Sequence, residues 1–297
     1  MGGNVMDTIQ MKAFAKVNLG LDVIRRREDG YHEVKMIMQT LRLFDRVTLE
    51  KCDQDGITLE TNLPFLPVNE QNIAYRAAKM LMDEFQIQGG LHIKIDKQIP
   101  VAAGMAGGST DGAAVLYGLN KIYSLGLTKQ QLMERGVRLG ADVPYCIMRG
   151  TVLSEGIGEV LTPISPMPEC FILVAKPPIS VSTKHVYQNL KLDQIEKHPD
   201  IDGMIEALKE QNLEGIASRM ENVLETVTVP EHPEIAQIKD QMMEAGALNA
   251  MMSGSGPTVF GIFNDKEQGL KAKEYVREKG LARQIYLVSP YNVRHYA

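Results

Sequence analysis

The sequence predicts an α+β fold in two domains, and three observations carry that prediction. The chain's 297 residues exceed what a single core of ordinary size holds. Prolines crowd into "PISPMPE", which marks a boundary near residue 163 and gives expected domains of residues 1–163 and 164–297. The halves also differ in pattern. The first opens on period-two strands and passes into helices; the second reads strand, helices, strand, strand, helix, strand, the order of a split βαβ sandwich.

Ile9, Met11, Ala13, Ala15, Val17, Leu19, Leu21 and Val23 fill every second position, with mostly polar residues between them. That period belongs to a half-buried strand or a bent pair of strands. Alternate side chains share a face, so Lys12, Lys16 and Asn18 project together opposite the apolar set. Asp29-Gly30 supports a hairpin turn, after which "VKMIMQTLRL", "DRVTLEK" and "GITLET" read as further strands, expected to be antiparallel. "NIAYRAAKMLMDEF" places Ile73, Ala77, Leu81 and Phe85 at helical spacing, and "LHIKID" returns to alternation through Leu91, Ile93 and Ile95.

"PVAAGMAGGSTDGAA" follows at once, nearly free of side-chain bulk from Ala102 to Thr110 except at Met105. Its continuation, "STDGAAVLYGLNKIY", reads as a helix with Ala113, Ala114, Leu116 and Tyr117 as the buried stripe and Ser109 or Thr110 as N-cap. A second helix opens at Thr128, where "TKQQ" supplies a capping box, and stops at Gly140 with Pro144 beyond it. "GTVLSEG" and "EVLTPI" are strands. Past the boundary, "CFILVAK" is a strand and helical segments run from about 183 to 226 and from 233 to 245. Strands "ALNAMMS" and "TVFGIF", helix "KEQGLKAKEYVREKG" and strand "RQIYLVS" complete the second half.

A loop that leaves a strand and enters a helix offers free backbone N–H groups at the positive end of the helix dipole, and glycine lets phosphate oxygens come close. Ser109 and Thr110 add hydroxyls there. The dipole alone is worth about 0.3–1 kcal/mol, so several N–H bonds and a metal ion must supply the rest of any triphosphate affinity. A plain flexible connector is the competing reading. The loop matches neither the P-loop, which needs Gly-Lys-Ser/Thr at its close, nor the dinucleotide fingerprint.

Composition narrows the function classes. Lys and Arg number 32 against 37 Asp and Glu, a net charge of −5, and the one basic run, Arg25–Arg27, reads as a solvated hairpin end. Nucleic acid is therefore not expected as a partner. The 3 cysteines, Cys52, Cys146 and Cys170, are odd in number and lack metal-ligand spacing, which fits a reducing compartment. "MGGNVMDTIQ" has no signal-peptide core, Met6 stands where myristoylation needs Ser or Thr, and no apolar run reaches the roughly 18 residues of a membrane span. The expectation is a cytoplasmic protein without membrane partners. Met1–Asp7 receive no role.

"PVAAGMAGGSTDGAA" resembles the central phosphate-binding motif of the GHMP kinases, the family of galactokinase, homoserine kinase, mevalonate kinase and phosphomevalonate kinase. "AKVNLGLDV" and "MSGSGPTVFGIF" resemble the family's first and third motifs, in the family's order across nearly the whole chain. Departures are mild: Met105 replaces a usual leucine, Thr110 a serine and Gly112 an alanine. The resemblance implies a two-domain fold, an N-terminal ribosomal-protein-like α/β domain that binds ATP and a C-terminal ferredoxin-like split βαβ domain, with the site in the cleft between them. It implies ATP and Mg²⁺ as cofactors.

"DGYHE" and "LGADVPY", together with the first motif, resemble the family branch that phosphorylates the hydroxyl of a small cytidine-linked substrate. By that resemblance Asp142 is the catalytic base and Lys16 its charged partner. Pro100, Val101, Ala102, Ala103, Gly104, Met105, Ala106, Gly107, Gly108, Ser109 and Thr110 hold the ATP phosphates, and Asn72 and Lys97 lie near the adenine and ribose. Asn18, Tyr31, His32 and Tyr187 serve the substrate, His32 bonding the cytosine edge and Tyr187 closing the other side of the ring. Taken as residues alone, Asp142 reads as a turn former, Asn72 and Lys97 are equally solvent-facing, and periodicity does not choose between Lys12 and Lys16.

Overall fold

The structure, a computed structural model, describes residues 7–293, so the opening Met1–Met6 lies outside the described residues. By packing, the chain forms two compact units. One takes the residues up to Ala15, Leu43–Val101 and Ala106–Met148; the other takes Lys16–Arg42, Ala102–Met105 and the residues from Arg149 onward. These packing units do not follow a single cut in the sequence, because the two longest strands, β1 (Thr8–Arg26) and β2 (His32–Cys52), each begin in one unit and end in the other. "VKMIMQTLRL" and "DRVTLEK", read as two strands, are one, since Phe44 between them is no breaker. β1 and β2 form a hairpin whose turn is closed by the Arg27 N–H donating to the Tyr31 carbonyl at 2.8 Å.

In the first unit, β4 (Gly90–Asp96) pairs antiparallel with Arg46–Cys52 of β2 and parallel with β3 (Gly56–Thr61). The parallel pair departs from the antiparallel expectation. Its reason is the intervening helix α1 (Ile73–Glu84), the crossover that parallel neighbours require. Leu91, Ile93 and Ile95 are buried as the alternation predicts, opposite Lys51, Leu49 and Val47. Helices α2 (Gly107–Ile122), α3 (Lys129–Val137) and α4 (Val143–Met148) complete the unit.

Gly112 of α2 sits where an added Cβ would fall 2.5 Å from Ile73 Cγ2 of α1, so its bareness permits the close approach of these two helices. Tyr117, expected in the buried stripe, is 37% exposed and lies under the Lys121 ammonium one turn on. The predicted capping box of α3 is present: Thr128 Oγ1 accepts the Gln131 N–H, and Gln131 Oε1 accepts the Thr128 N–H. Pro144, expected beyond a helix stop, lies in the first turn of α4, where its missing N–H leaves no bond unmade.

In the second unit, Met36–Gln39 of β2 pair antiparallel with β5 (Thr151–Glu155), which pairs with β6 (Val160–Pro163). A four-stranded sheet takes β7 (Phe171–Lys176), β8 (Asn249–Met252), β9 (Val259–Phe263) and β10 (Gln284–Val288) in the order β10-β7-β9-β8, all neighbours antiparallel. That order is the split βαβ arrangement the sequence predicts. The helical segments expected from about 183 to 226 are α5 (Thr183–Asn189), a 3₁₀ turn, α6 (Ile201–Lys209) and α7 (Leu213–Ala217), with α8 (Glu225–Glu231) beginning only at the end of that range. Asp200 and Asn212 each accept a backbone N–H as fresh N-caps, and Pro199 precedes the first of them. α9 (Glu234–Glu244) and α10 (Lys266–Lys279) follow the sequence pattern, α10 ending on Gly280.

β1 is not half-buried. Ala13 to Val23 bury their odd positions, yet Lys16, Asn18 and Asp22 of the opposite face are buried too. Within the second unit, Ile201 and Met204 of α6 cover that face at Gly20. Among the described residues no helix is long and apolar enough to cross a membrane.

Candidate functional site

Five consecutive residues of the bare loop hold three left-handed positions: Ala102 (φ 50°), Gly104 (φ 69°) and Ala106 (φ 57°). For alanine that conformation costs roughly 1–2 kcal/mol, so the surrounding packing must impose it. Within the second unit the "SGSG" turn packs on the middle position, Gly104. Ser253 Oγ donates to the Gly104 carbonyl at 3.0 Å, and a Cβ on Gly104 would stand 2.1 Å from the Ser253 carbonyl oxygen. No other residue fits that approach. The Lys16 N–H donates to the Met105 carbonyl at 3.2 Å, tying the loop to β1.

The polar pair that β1 places side by side lies against the same turn. Lys16 Nζ donates to Asn18 Oδ1 at 2.8 Å, Asn18 Nδ2 points at Met36 Sδ, and a Cβ on Gly254 would come 3.5 Å from Asn18 Oδ1. Lys16 is 5% exposed and Asn18 1%. Lys12, which shares their strand face in the sequence pattern, instead sets its ammonium over the Phe44 ring at 4.6 Å. Two residues missed in the sequence hold the turn. Asn222 Nδ2 donates to the Met252 and Gly254 carbonyls at 2.9 and 2.8 Å, and Thr183 shares a 2.8 Å hydrogen bond with Ser255 between their hydroxyls. The one available signal for Asn222 is an amide at the edge of an apolar run, which is too common to read.

His32 and Tyr187 are brought together, ring centroids 5.2 Å apart and tilted by 39°. Burial, helped by the charge of Arg26, lowers the His32 pKa, so the imidazole is neutral near pH 7 and can both donate and accept. Tyr31 is 60% exposed, its N–H bonded to Asp29 Oδ1.

In the first unit, α2 begins at Gly107 with Ala106 as a left-handed N-cap that offers no side-chain bond. Ser109 and Thr110 lie inside the helix, not at its cap, and the Thr110 N–H already donates to the Ala106 carbonyl. The opening N–H groups of α2 are thereby left for an anion. Around the loop, Pro100, Ala103, Met105 and Thr110 are buried, Val101, Gly104, Ala106, Gly107 and Ser109 are half-buried, and Ala102 and Gly108 are exposed. Asn72 caps α1, accepting the Ala74 N–H at 2.9 Å and donating to the Pro67 carbonyl. The adjacent Ile73 touches Gly108 and Gly112 of α2.

Lys97 is not a solvent-facing side chain. It is 8% exposed, and its ammonium bonds Asp45 Oδ2 and Asp111 Oδ2 at 2.5 and 2.7 Å. Neither aspartate stands out in the sequence, since Asp45 reads as a strand start and Asp111 as part of a helix's first turn. Asp142 precedes α4 in the turn that the Val143 N–H closes on Gly140, so its backbone forms a turn as the local reading allows. Its carboxylate makes no hydrogen bond or ion pair among the described residues. Nor do the described residues gather three or more acidic, histidine or cysteine side chains able to hold a metal ion.

Comparison with known proteins returns one family throughout. The family described as GHMP kinases N terminal domain matches residues 72–150, and GHMP kinases C terminal matches residues 204–282. A 4-diphosphocytidyl-2-C-methyl-D-erythritol kinase of Lachnoclostridium phytofermentans is 57% identical over 95% of this chain and 97% of its own length. The protein of the same name from Alkaliphilus metalliredigens is 50% identical over 98% and 99%. A crystal structure of 4-(cytidine 5'-diphospho)-2C-methyl-D-erythritol kinase superposes with a TM-score of 0.82 at 31% identity, covering 95% of this chain and 99% of that one. A homoserine kinase from Cytophaga hutchinsonii shares the fold, with a TM-score of 0.77 at 19% identity over 97% and 96%.

Proposed function

The chain belongs to the GHMP kinases, and from that premise we propose that it transfers the γ-phosphoryl group of ATP to the 2-hydroxyl of 4-diphosphocytidyl-2-C-methyl-D-erythritol, a step of the non-mevalonate route to isoprenoids. The observation that carries the proposal is the bare loop, with its left-handed turns, packed at Gly104 by the "SGSG" turn and ending on a helix with uncapped N–H groups.

Phosphoryl transfer depends on positioning and charge stabilisation more than on covalent chemistry. Residues 100–110 are assigned to the phosphates and Asn72 and Lys97 to the nucleoside side of the loop. Magnesium, when bound with ATP, would neutralise phosphate charge; no side chain is assigned to it. Asp142 is assigned the proton of the attacking hydroxyl, and its carboxylate has no competing partner among the described residues. Lys16, beside a neutral amide, keeps its charge for the phosphoryl group. Asn18 supports that lysine and the substrate. The neutral His32 reads the cytosine edge, with Tyr31 and Tyr187 supplying ring faces. Residues 1–163 are assigned the ATP-binding role and 164–297 the second family domain, in a cytoplasmic enzyme.

A substrate panel tests the proposal. The cytidine-linked alcohol should be phosphorylated with ATP, and mevalonate, homoserine and galactose should not. Turnover of one of those three in its place would remove the reading of Tyr31, His32 and Tyr187.

A further inference from the structure

Beneath the first turn of α2 lies a buried group of charges of which the proposed reaction uses only Lys97; its two aspartates have no part in it. Lys97, Asp45 and Asp111 are all buried, and Lys97 bonds both carboxylates. Asp45 is fixed in turn, its Oδ1 accepting the Gln98 and Ile99 N–H groups at 2.6 and 2.8 Å. Two atoms of the group are unused. Asp111 Oδ1 is buried without a hydrogen-bond partner among the described residues. The Lys97 ammonium has three N–H donors and spends two. That ammonium stands 3.3 Å from where a Cβ on Gly107 would be, against the backbone that opens α2.

We infer that Asp45 and Asp111 are positioning residues, which hold the Lys97 ammonium against the opening turn of α2 toward a nucleotide's phosphates, and that Asp111 takes up a proton from solvent when polyphosphate binds. The inference rests on the reading of α2's N-terminus as the phosphate site, and it moves Lys97 from the nucleoside side to the phosphates because its ammonium stands against Gly107. Its logic is charge. One ammonium with two carboxylates leaves a net negative group beside the place where polyanion is to sit, whereas a proton on Asp111 makes the group neutral. Binding and protonation therefore favour each other, by reciprocity of linked equilibria.

Burial pushes the Asp111 carboxyl up to about 8, against the pull of Lys97 and with the help of Asp45. Burial alone would lower the Lys97 ammonium, but Asp111 and Asp45 outweigh it and hold it above its ordinary value, so lysine stays charged while aspartate titrates. Among the described residues, no other charged group of the unit faces Asp111. Arg76, Lys79, Asp83 and Glu84 of α1 line an outward groove with Glu134, Arg135 and Arg138 beside them, α4 carries no charge, and Arg46 pairs with Asp96 at the surface.

Calorimetric titration of the full-length protein with ADP and magnesium at pH 8, in two buffers of different ionisation heat, tests this, since the nucleotide's phosphates are already ionised there. Binding should take up about half a proton, and Asp111→Asn should bind with none. Asp111→Ala should raise KM for ATP about tenfold through loss of the Lys97 contact, with Asp111→Asn restoring it. Between pH 7 and 9 the wild-type KM for ATP should rise, by no more than about tenfold per unit, while that of Asp111→Asn stays flat. Nucleotide binding without proton uptake, or one pH profile shared by wild type and Asp111→Asn, overturns the inference and leaves the phosphate reading intact. Failure of the wild type to bind nucleotide overturns both.

Discussion

Lys12 and Lys16 look alike in the sequence, four residues apart on one strand face, and the structure gives them different surroundings. Lys12 lies over an aromatic ring, while Lys16 is buried against Asn18. Lys16 is assigned to the reaction by the family motif, and burying its charge beside a neutral amide is costly. Asp142→Asn should lower kcat by about 10²–10⁴ with nucleotide binding kept, the range expected for a lost general base; turnover near the wild-type rate in a steady-state assay would remove the assignment. Tyr187→Ala should raise KM for the cytidine-linked substrate about tenfold at most, given an aromatic pair's worth of roughly 0.5–1.5 kcal/mol, with KM for ATP unchanged. Lys97 shows the limit of reading residues singly. Its charge was legible, but its two carboxylate partners were not, since Asp45 lies 52 positions away in the chain.

Helix α2 and the loop before it were legible as a unit, because loss of side-chain bulk before an apolar helical stripe is a local pattern. The cap was not. Serine and threonine are ordinary N-caps, yet the helix starts earlier, at a left-handed Ala106 that local preference disfavours and the packed loop imposes. Gly104→Ala should damage the loop severely, since its Cβ would meet a backbone oxygen that has nowhere to go; the expected outcome is a KM for ATP raised well beyond tenfold or loss of folded protein, read by kinetics and circular dichroism. Gly112→Ala sets two effects against each other. Helix propensity favours alanine by about 1 kcal/mol, whereas overpacking against Ile73 costs roughly 1–3 kcal/mol. The clash should win, lowering the thermal midpoint, and adding Ile73→Val should recover part of the loss.

The buried charge group gives the whole molecule a pH signature. The folded state raises the Asp111 carboxyl from 3.8 to about 8, so it binds this proton more tightly than the unfolded chain does. Stability from this source is therefore full at low pH and is lost as pH rises from about 4 through about 8. Thermal midpoints measured at pH 5.5, 7 and 8.5 should show wild type losing ground to Asp111→Asn at each step; a constant difference would contradict the buried titration. The succession of most strands and helices, the helix ends at Thr128 and Gly280, the bare loop before α2 and the family motifs were legible in the sequence alone, because periodicity, capping and bareness act over a few neighbouring residues. Tertiary structure alone decided that both faces of β1 are buried, that β1 and β2 each pass from one packing unit to the other, and that Lys97 sits between two aspartates. Those facts follow from which distant segments come into contact, and contact across tens of residues is set by the packing of the whole chain.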